Sequence, residues 1–125
     1  MNRKTILLVD DDIDVLEPIQ YLLIEEGHKV ITASNGNEAI TEYNENTPDI
    51  IFMDIKMPVL NGYDAFNKIK DIDKDAKIVF TSGYTIDDER FQNAKNLGLC
   101  DMLTKPFNID TMIKMIKKYT NQIKH

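Results

Sequence analysis

At 125 residues the chain has room for one domain, 1–125, burying about two-thirds of the surface its unfolded form exposes. With 42% hydrophobic residues, five glycines, four prolines and a single cysteine, the composition excludes a disordered or fibrous chain and any intrachain disulfide. The net charge of −6 is uneven: residues 111–125 carry Lys114, Lys117, Lys118 and Lys124 with no acid, leaving eleven basic against 21 acidic residues elsewhere, and an acidic body of that kind argues against a duplex-DNA footprint.

The N-terminus starts basic, but only Ile6 to Val9 follow before three aspartates. That run is too short for a signal peptide or a membrane span, so a cytoplasmic protein is expected. The first strand is predicted over Thr5 to Asp10, and a helix from Ile13 to Glu26, stopped by Gly27. Asp12, just before that helix, reads as its N-cap, and Pro18 inside it removes one hydrogen bond and should bend it modestly. Leu16, Ile19 and Leu23 form the inward face, leaving Asp14, Glu17, Pro18 and Tyr21 outside. His28 falls in a loop, and Lys29 to Ala33 makes a second strand.

Asn35-Gly36 turns into a helix holding Ala39, Ile40 and Tyr43 and ending before Pro48. Asp49 to Met53 is the third strand, and Asn61-Gly62 leads into a helix with Ala65, Phe66 and Ile69. Lys77 to Phe80 is the fourth strand, and a helix from near Ile86 to Leu97-Gly98 follows it. Cys100 reads as a small buried hydrophobe beside the last strand, Met102 to Thr104. The final helix packs Ile109, Met112, Ile113, Ile116 and Ile123, with its lysines solvated. Strict alternation of strand and helix predicts one α/β domain, a parallel sheet with right-handed crossovers and helices on both faces.

Four apolar runs end in residues suited to phosphoryl chemistry: ILLVD at Asp10, IIFMD at Asp54, IVFT at Thr81 and MLTK at Lys105. Parallel strands finish on one edge, and ligands of open α/β sheets bind beyond that edge, so these residues should share a pocket. Asp10, Asp11 and Asp54 would crowd negative charge at a cost of about 4 kcal/mol per pair at about 4 Å and an effective dielectric near 20. Such a cluster needs shifted protonation or a cation, and its hard oxygens suit Mg²⁺. Thr81 can hydrogen-bond a phosphoryl oxygen, Lys105 can pair with another, and a carboxylate can itself be the nucleophile.

VDDD at the first strand end, MDIKMP at the third, TS at the fourth and KPF after the fifth resemble the receiver domain of two-component response regulators. The DIKMP segment, with Lys105–Phe107, Ile109, Asp110 and Lys117–Tyr119, is similar to single-domain regulators of sporulation phosphorelays. The resemblance implies a flavodoxin-like (βα)5 fold with strand order 2-1-3-4-5, for which such a regulator is a standing example. It implies that Asp54 accepts a phosphoryl group from a sensor histidine kinase or histidine phosphotransfer protein. Asp11 would hold Mg²⁺ directly, Asp10 largely through water, and the Lys56 carbonyl would complete the site. Lys105 would pair with the phosphoryl group, Thr81 would report its arrival, and Lys105–Pro106 would be cis. Such a domain catalyses its own phosphorylation and slow dephosphorylation without being an enzyme towards other molecules. It passes the signal to a downstream phosphotransferase or target protein, as a monomer or a phosphorylation-dependent dimer. No output domain is visible in the sequence.

Three departures modify that picture. Receiver domains usually carry an aromatic residue three before the lysine, where this chain has Met102, so a relay is expected rather than a strong allosteric switch. Asn61 replaces the usual aspartate before Gly62. Lys56 and Gly83 flank the pocket mouth and are poor at positioning water, so slow loss of the phosphoryl group is expected. Pro18 and Tyr21 beside the acidic pocket suggest docking of a histidine-bearing helix hairpin. Two alternatives remain: a haloacid-dehalogenase-like phosphatase using Asp10 as nucleophile, and a phosphorylation-independent binding module on the same fold.

Overall fold

The computed structural model describes residues 3–83 and 88–120. Five strands and five helices alternate along them: β1 (Thr5–Val9), α1 (Ile13–Glu25), β2 (Lys29–Ala33), α2 (Gly36–Asn46), β3 (Ile50–Asp54), α3 (Gly62–Ile72), β4 (Ile78–Ser82), α4 (Asp88–Asn96), β5 (Asp101–Thr104) and α5 (Ile109–Thr120). All four strand pairings are parallel and the order is β2-β1-β3-β4-β5, as expected. The expected start of the fourth helix near Ile86 and the expected packing of Ile123 in the last one fall outside the described residues, as do Lys124 and His125.

The central strands carry consecutive apolar residues, Ile6–Val9, Ile50–Met53 and Ile78–Phe80, rather than alternate ones, so both faces of the sheet must be covered. Leu7, Val9, Ile51, Met53 and Phe80 point into one core with Ala39 and Tyr43 of α2 and Phe66 and Ile69 of α3. Ile6, Leu8, Phe52, Val79 and Leu103 point into the other with Leu16 and Leu23 of α1 and Met112 and Ile116 of α5. Phe80 packs between Phe66, whose ring is tilted to it, and Tyr63, whose ring meets it edge to face, at centroid separations of 5.5 and 5.3 Å. Ile19 and Cys100 are half-buried at the edge of the second core, less enclosed than their sequence context suggests.

Local chemistry sets the helix boundaries. The Asp12 carboxylate accepts from the Asp14 amide, so its N-cap role is observed, and α1 continues through Pro18 without interruption. Asn35 and Asn61 cap α2 and α3 in the same manner, with Gly36 and Gly62 as the first helical residues. A reciprocal box closes the α2 start: Glu38 accepts from the Ser34 amide and hydroxyl, while the Glu38 amide donates to Asn35. Those Ser34 bonds hold the Glu38 carboxyl below its ordinary range. The start of α4 is tied to α3 by Arg90, which meets Asp64 at 2.8 Å and lies over the Tyr63 ring. At the opposite end, Lys4 Nζ donates to the Thr120 carbonyl at the end of α5.

His28 does lie in a loop, and its Nδ1 accepts from the Lys4 amide at 3.1 Å. Only the neutral ring can accept there. Burial lowers its pKa from 6.5 and Lys4 adds to that, against the raising influence of Glu26 and Asp49. A depressed folded value means the unfolded chain binds the proton first, so the contribution of His28 is complete above about pH 6.5 and fades as pH falls through the folded value. The urea midpoint of the wild type is therefore expected to drop between pH 7.5 and 5.5 relative to His28→Gln; equal slopes for the two proteins would contradict this.

Candidate functional site

The acidic pocket is assembled by strand ends. Asp54 is the last residue of β3 and is paired with Thr81 on β4, while Asp10 immediately follows β1. Asp10, Asp54 and Thr81 are almost fully enclosed, at 3%, 7% and 5% exposure, whereas Asp11 is exposed. One carboxylate oxygen from each of Asp10, Asp11 and Asp54 falls within 4.8 Å of the others. Lys105, one residue past β5, reaches back over 95 positions to place Nζ at 2.5 Å from Asp10 and 3.3 Å from Asp54. The expected convergence of Asp10, Asp11, Asp54, Thr81 and Lys105 is thus observed.

The electrostatics follow from that enclosure. Burial raises the Asp54 carboxyl above its ordinary value and Asp10 pushes it further, against the charge of Lys105 and the Lys56 amide. Burial alone would lower Lys105, yet its bond to Asp10 and the charges of Asp54 and Asp10 hold its ammonium above the usual value. Lys105 therefore balances only part of the carboxylate charge. Three oxygens on that scale, one of them open to solvent, fit a hard divalent cation with room for water.

Backbone contacts fix the two sides of the pocket. Asp10 Oδ1 accepts from the Asp12 amide, and the Asp10 amide donates to the Ala33 carbonyl. The Ile55 amide donates to the Thr81 carbonyl, and the Lys105 amide to that of Ser82. Lys105–Pro106 is cis. The loop after Asp54, residues 55–61, folds back so that the Gly62 amide donates to the Ile55 carbonyl. Its exposed tip carries Val59 at φ 69°, a left-handed conformation costly for a β-branched side chain.

The outer positions behave less uniformly. Lys56 and Gly83 are exposed, as expected at a mouth, and among the described residues a Cβ at Gly83 would meet Lys105 Cβ at 3.6 Å. Met102 is half-buried against the core that holds Phe80. A groove of about 570 Å³, absent from any sequence signal, runs beside Lys105 between α1 and the start of α5. Pro18, Ile19, Leu22 and Phe107 line it. Pro18 thus sits at a concave apolar surface, whereas Tyr21, 64% exposed, is not among the lining residues. The reason is helical geometry: Val15, Pro18, Ile19 and Leu22 recur at helical spacing along one stripe of α1, and Tyr21 falls outside that stripe.

Comparison with known proteins matches residues 6–117 to the response regulator receiver domain. The chain is 35% identical to the chemotaxis protein CheY of Bacillus subtilis over 93% of its own length and 97% of that protein. It is 30% identical to sporulation initiation phosphotransferase F of the same organism, over 95% and 94% of the two chains. Among solved structures, a CheY-like receiver domain protein from Methanospirillum hungatei superposes with a TM-score of 0.89 at 26% identity, covering 96% of this chain and 95% of that one.

Proposed function

The chain belongs to the response regulator receiver domains, a family phosphorylated on aspartate, and on that premise we propose that Asp54 is its phosphoryl acceptor and Asp10, Asp11, Asp54 and the Lys56 carbonyl its Mg²⁺ ligands. The observation that carries this reading is the meeting of Lys105 with both Asp10 and Asp54, which sets a cation opposite the acceptor oxygen. An Asp54 oxygen attacks phosphorus, the P–N bond of the donor phosphohistidine breaks, and the imidazole leaves with its electron pair. Mg²⁺, when bound, supplies charge neutralisation for the phosphoryl oxygens. Lys105 can exchange part of its contact with Asp54 for a phosphoryl oxygen, and the Thr81 hydroxyl, one strand away, can donate to another.

The donor is a sensor histidine kinase or histidine phosphotransfer protein whose helix hairpin enters the groove lined by Pro18, Leu22 and Phe107, which shares Lys105 with the acceptor pocket. The phosphorylated form passes its group or its altered surface to a downstream phosphotransferase or target protein. Met102, an unbranched side chain at the edge of the Phe80 core, supports a relay with small rearrangements. The acidic body disfavours direct DNA binding, and no helix among the described residues is long and apolar enough to cross a membrane. We assign the protein to the cytoplasm as a monomer on the same reading. Incubation with a phosphorylated histidine phosphotransfer domain tests the function: label should move to this chain with Mg²⁺ and not after chelation. Transfer unaffected by chelation, or none at all, would contradict it.

Neither Lys56 nor Gly83 offers a side chain suited to holding attacking water. The acyl-phosphate of the wild type should therefore decay several-fold more slowly than that of Lys56→Asn, followed as loss of label after removal of the donor. Equal or faster decay of the wild type would refute this.

A further inference from the structure

The residues that meet the phosphoryl group do not by themselves set the distance between the two walls of the pocket. One wall is Asp10 at the end of β1; the other is the loop 55–61 that follows Asp54. Both are bonded to the same short segment, the turn from Ala33 to Gly36 between β2 and α2. The Ala33 carbonyl accepts from the Asp10 amide at 3.1 Å, and the Gly36 amide donates to the Leu60 carbonyl at 3.0 Å. Leu60 in turn closes the loop tip, its amide donating to the Pro58 carbonyl at 2.8 Å.

That turn is stiff for a local reason. Glu38 holds Ser34 through two hydrogen bonds, and Asn35 holds the Glu38 amide, so Gly36 cannot shift without breaking the box. The approach at Gly36 leaves no room for a side chain. A Cβ there would lie 2.4 Å from the Leu60 carbonyl oxygen and 2.9 Å from Leu60 Cβ. The first of those atoms is backbone and cannot rotate away. Restoring contact at 3.4 Å would displace the loop by about 1 Å.

We propose that Gly36 is a positioning residue for the phosphorylation site, its close approach to Leu60 bracketing the acceptor loop against the strand end that carries Asp10. It touches neither metal nor phosphoryl group and acts through the height of the loop that presents the Lys56 carbonyl. The proposal rests on the assignment of Asp10, Asp11, Asp54 and Lys56 to the metal site.

Gly36→Ala is expected to bind Mg²⁺ about ten- to a hundredfold more weakly, the range seen when outer partners of a metal site are altered. At saturating Mg²⁺ its phosphoryl acceptance should return to near the wild-type rate. In the metal-free protein, exchange of the Gly62 amide should quicken, because its bond to Ile55 closes the displaced loop. Tyr43→Phe, which removes the bond to Asp73 from the same helix, is the control: it should lose stability and keep its Mg²⁺ affinity. Should Gly36→Ala not fold, Glu38→Ala loosens the box without a clash and should weaken Mg²⁺ several-fold while speeding Gly36 amide exchange. Unchanged Mg²⁺ affinity in the folded Gly36→Ala protein, or in Glu38→Ala if that is the one that folds, overturns the positioning role. Absence of Mg²⁺ binding by the wild type overturns the underlying site assignment instead.

Discussion

Asp54→Asn should accept no phosphoryl group from a phosphohistidine donor, while Asp10→Asn should still be labelled, more slowly and with a higher Mg²⁺ requirement. The asymmetry follows from position. Asp54 presents its carboxylate from inside the sheet edge, opposed by Lys105 and beside Thr81, whereas Asp10 is already bonded to the Asp12 amide and to Lys105. An amide oxygen at residue 54 cannot form an acyl-phosphate, so no residual rate is expected. Loss of label must be separated from loss of fold, and the electrostatics provide the means. Asp54 is raised above its ordinary 3.8 by burial and by Asp10. A raised acid binds its proton more readily in the folded state. Its stabilising contribution is therefore present below about pH 3.8 and lost as pH rises through the folded value. At neutral pH the ionised Asp54 thus opposes folding in the metal-free protein, and Asp54→Asn should have a higher urea midpoint than the wild type. A variant that is both more stable and unlabelled identifies the acceptor; one that is still labelled removes Asp54 from that role.

Gly62→Ala carries the largest expected structural effect. A Cβ at this position would sit 2.4 Å from the Asp54 carbonyl oxygen and 2.8 Å from Ile55 Cα, both backbone atoms of the strand end that bears the acceptor. Overpacking of this kind costs about 1–3 kcal/mol, occasionally more, a large part of a domain's total of about 5–15 kcal/mol. Because the displaced atoms belong to Asp54 and Ile55, phosphoryl acceptance should fall further than the unfolded fraction explains. Urea denaturation and label uptake on the same sample measure both. Gly27→Ala makes the contrast: Gly27 has φ 95° but open space where a Cβ would go, so its cost is conformational and should leave uptake intact. Equal uptake losses for the two variants at matched stability would contradict the local account of Gly62.

The pocket was legible in the sequence because its residues terminate apolar runs, and parallel strands must end together. Asp10, Asp54, Thr81 and Lys105 needed only that rule. The strands themselves shifted slightly: β3 includes Asp54, and β4 continues through Thr81 and Ser82, because pairing extends to the polar ends where hydrophobicity gives no cue. The metal and acceptor roles came from a resemblance carried by VDDD, MDIKMP, TS and KPF, whose family the match over residues 6–117 bears out. What was hidden depends on contacts between distant segments. Asn35-Gly36 and Asn61-Gly62 read as turn signals, and both begin helices, but nothing local says that each glycine lies against backbone of the acceptor loop or strand. The groove beside Lys105 was hidden too, since it needs α1 and the start of α5 side by side. Which residues of α1 line that groove was hidden for the same reason: Pro18 and Leu22 do, and the exposed Tyr21 does not.

The most direct measurement is reductive trapping of the phosphorylated protein with borohydride, followed by peptide mapping. An acyl-phosphate on a carboxylate is reduced to an alcohol at the residue that carried it. The modification should appear at residue 54 alone, require Mg²⁺ and disappear in Asp54→Asn. Trapping at Asp10, the nucleophile a dehalogenase-type phosphatase would use, or at no aspartate, would contradict the assignment of Asp54 as the phosphoryl acceptor.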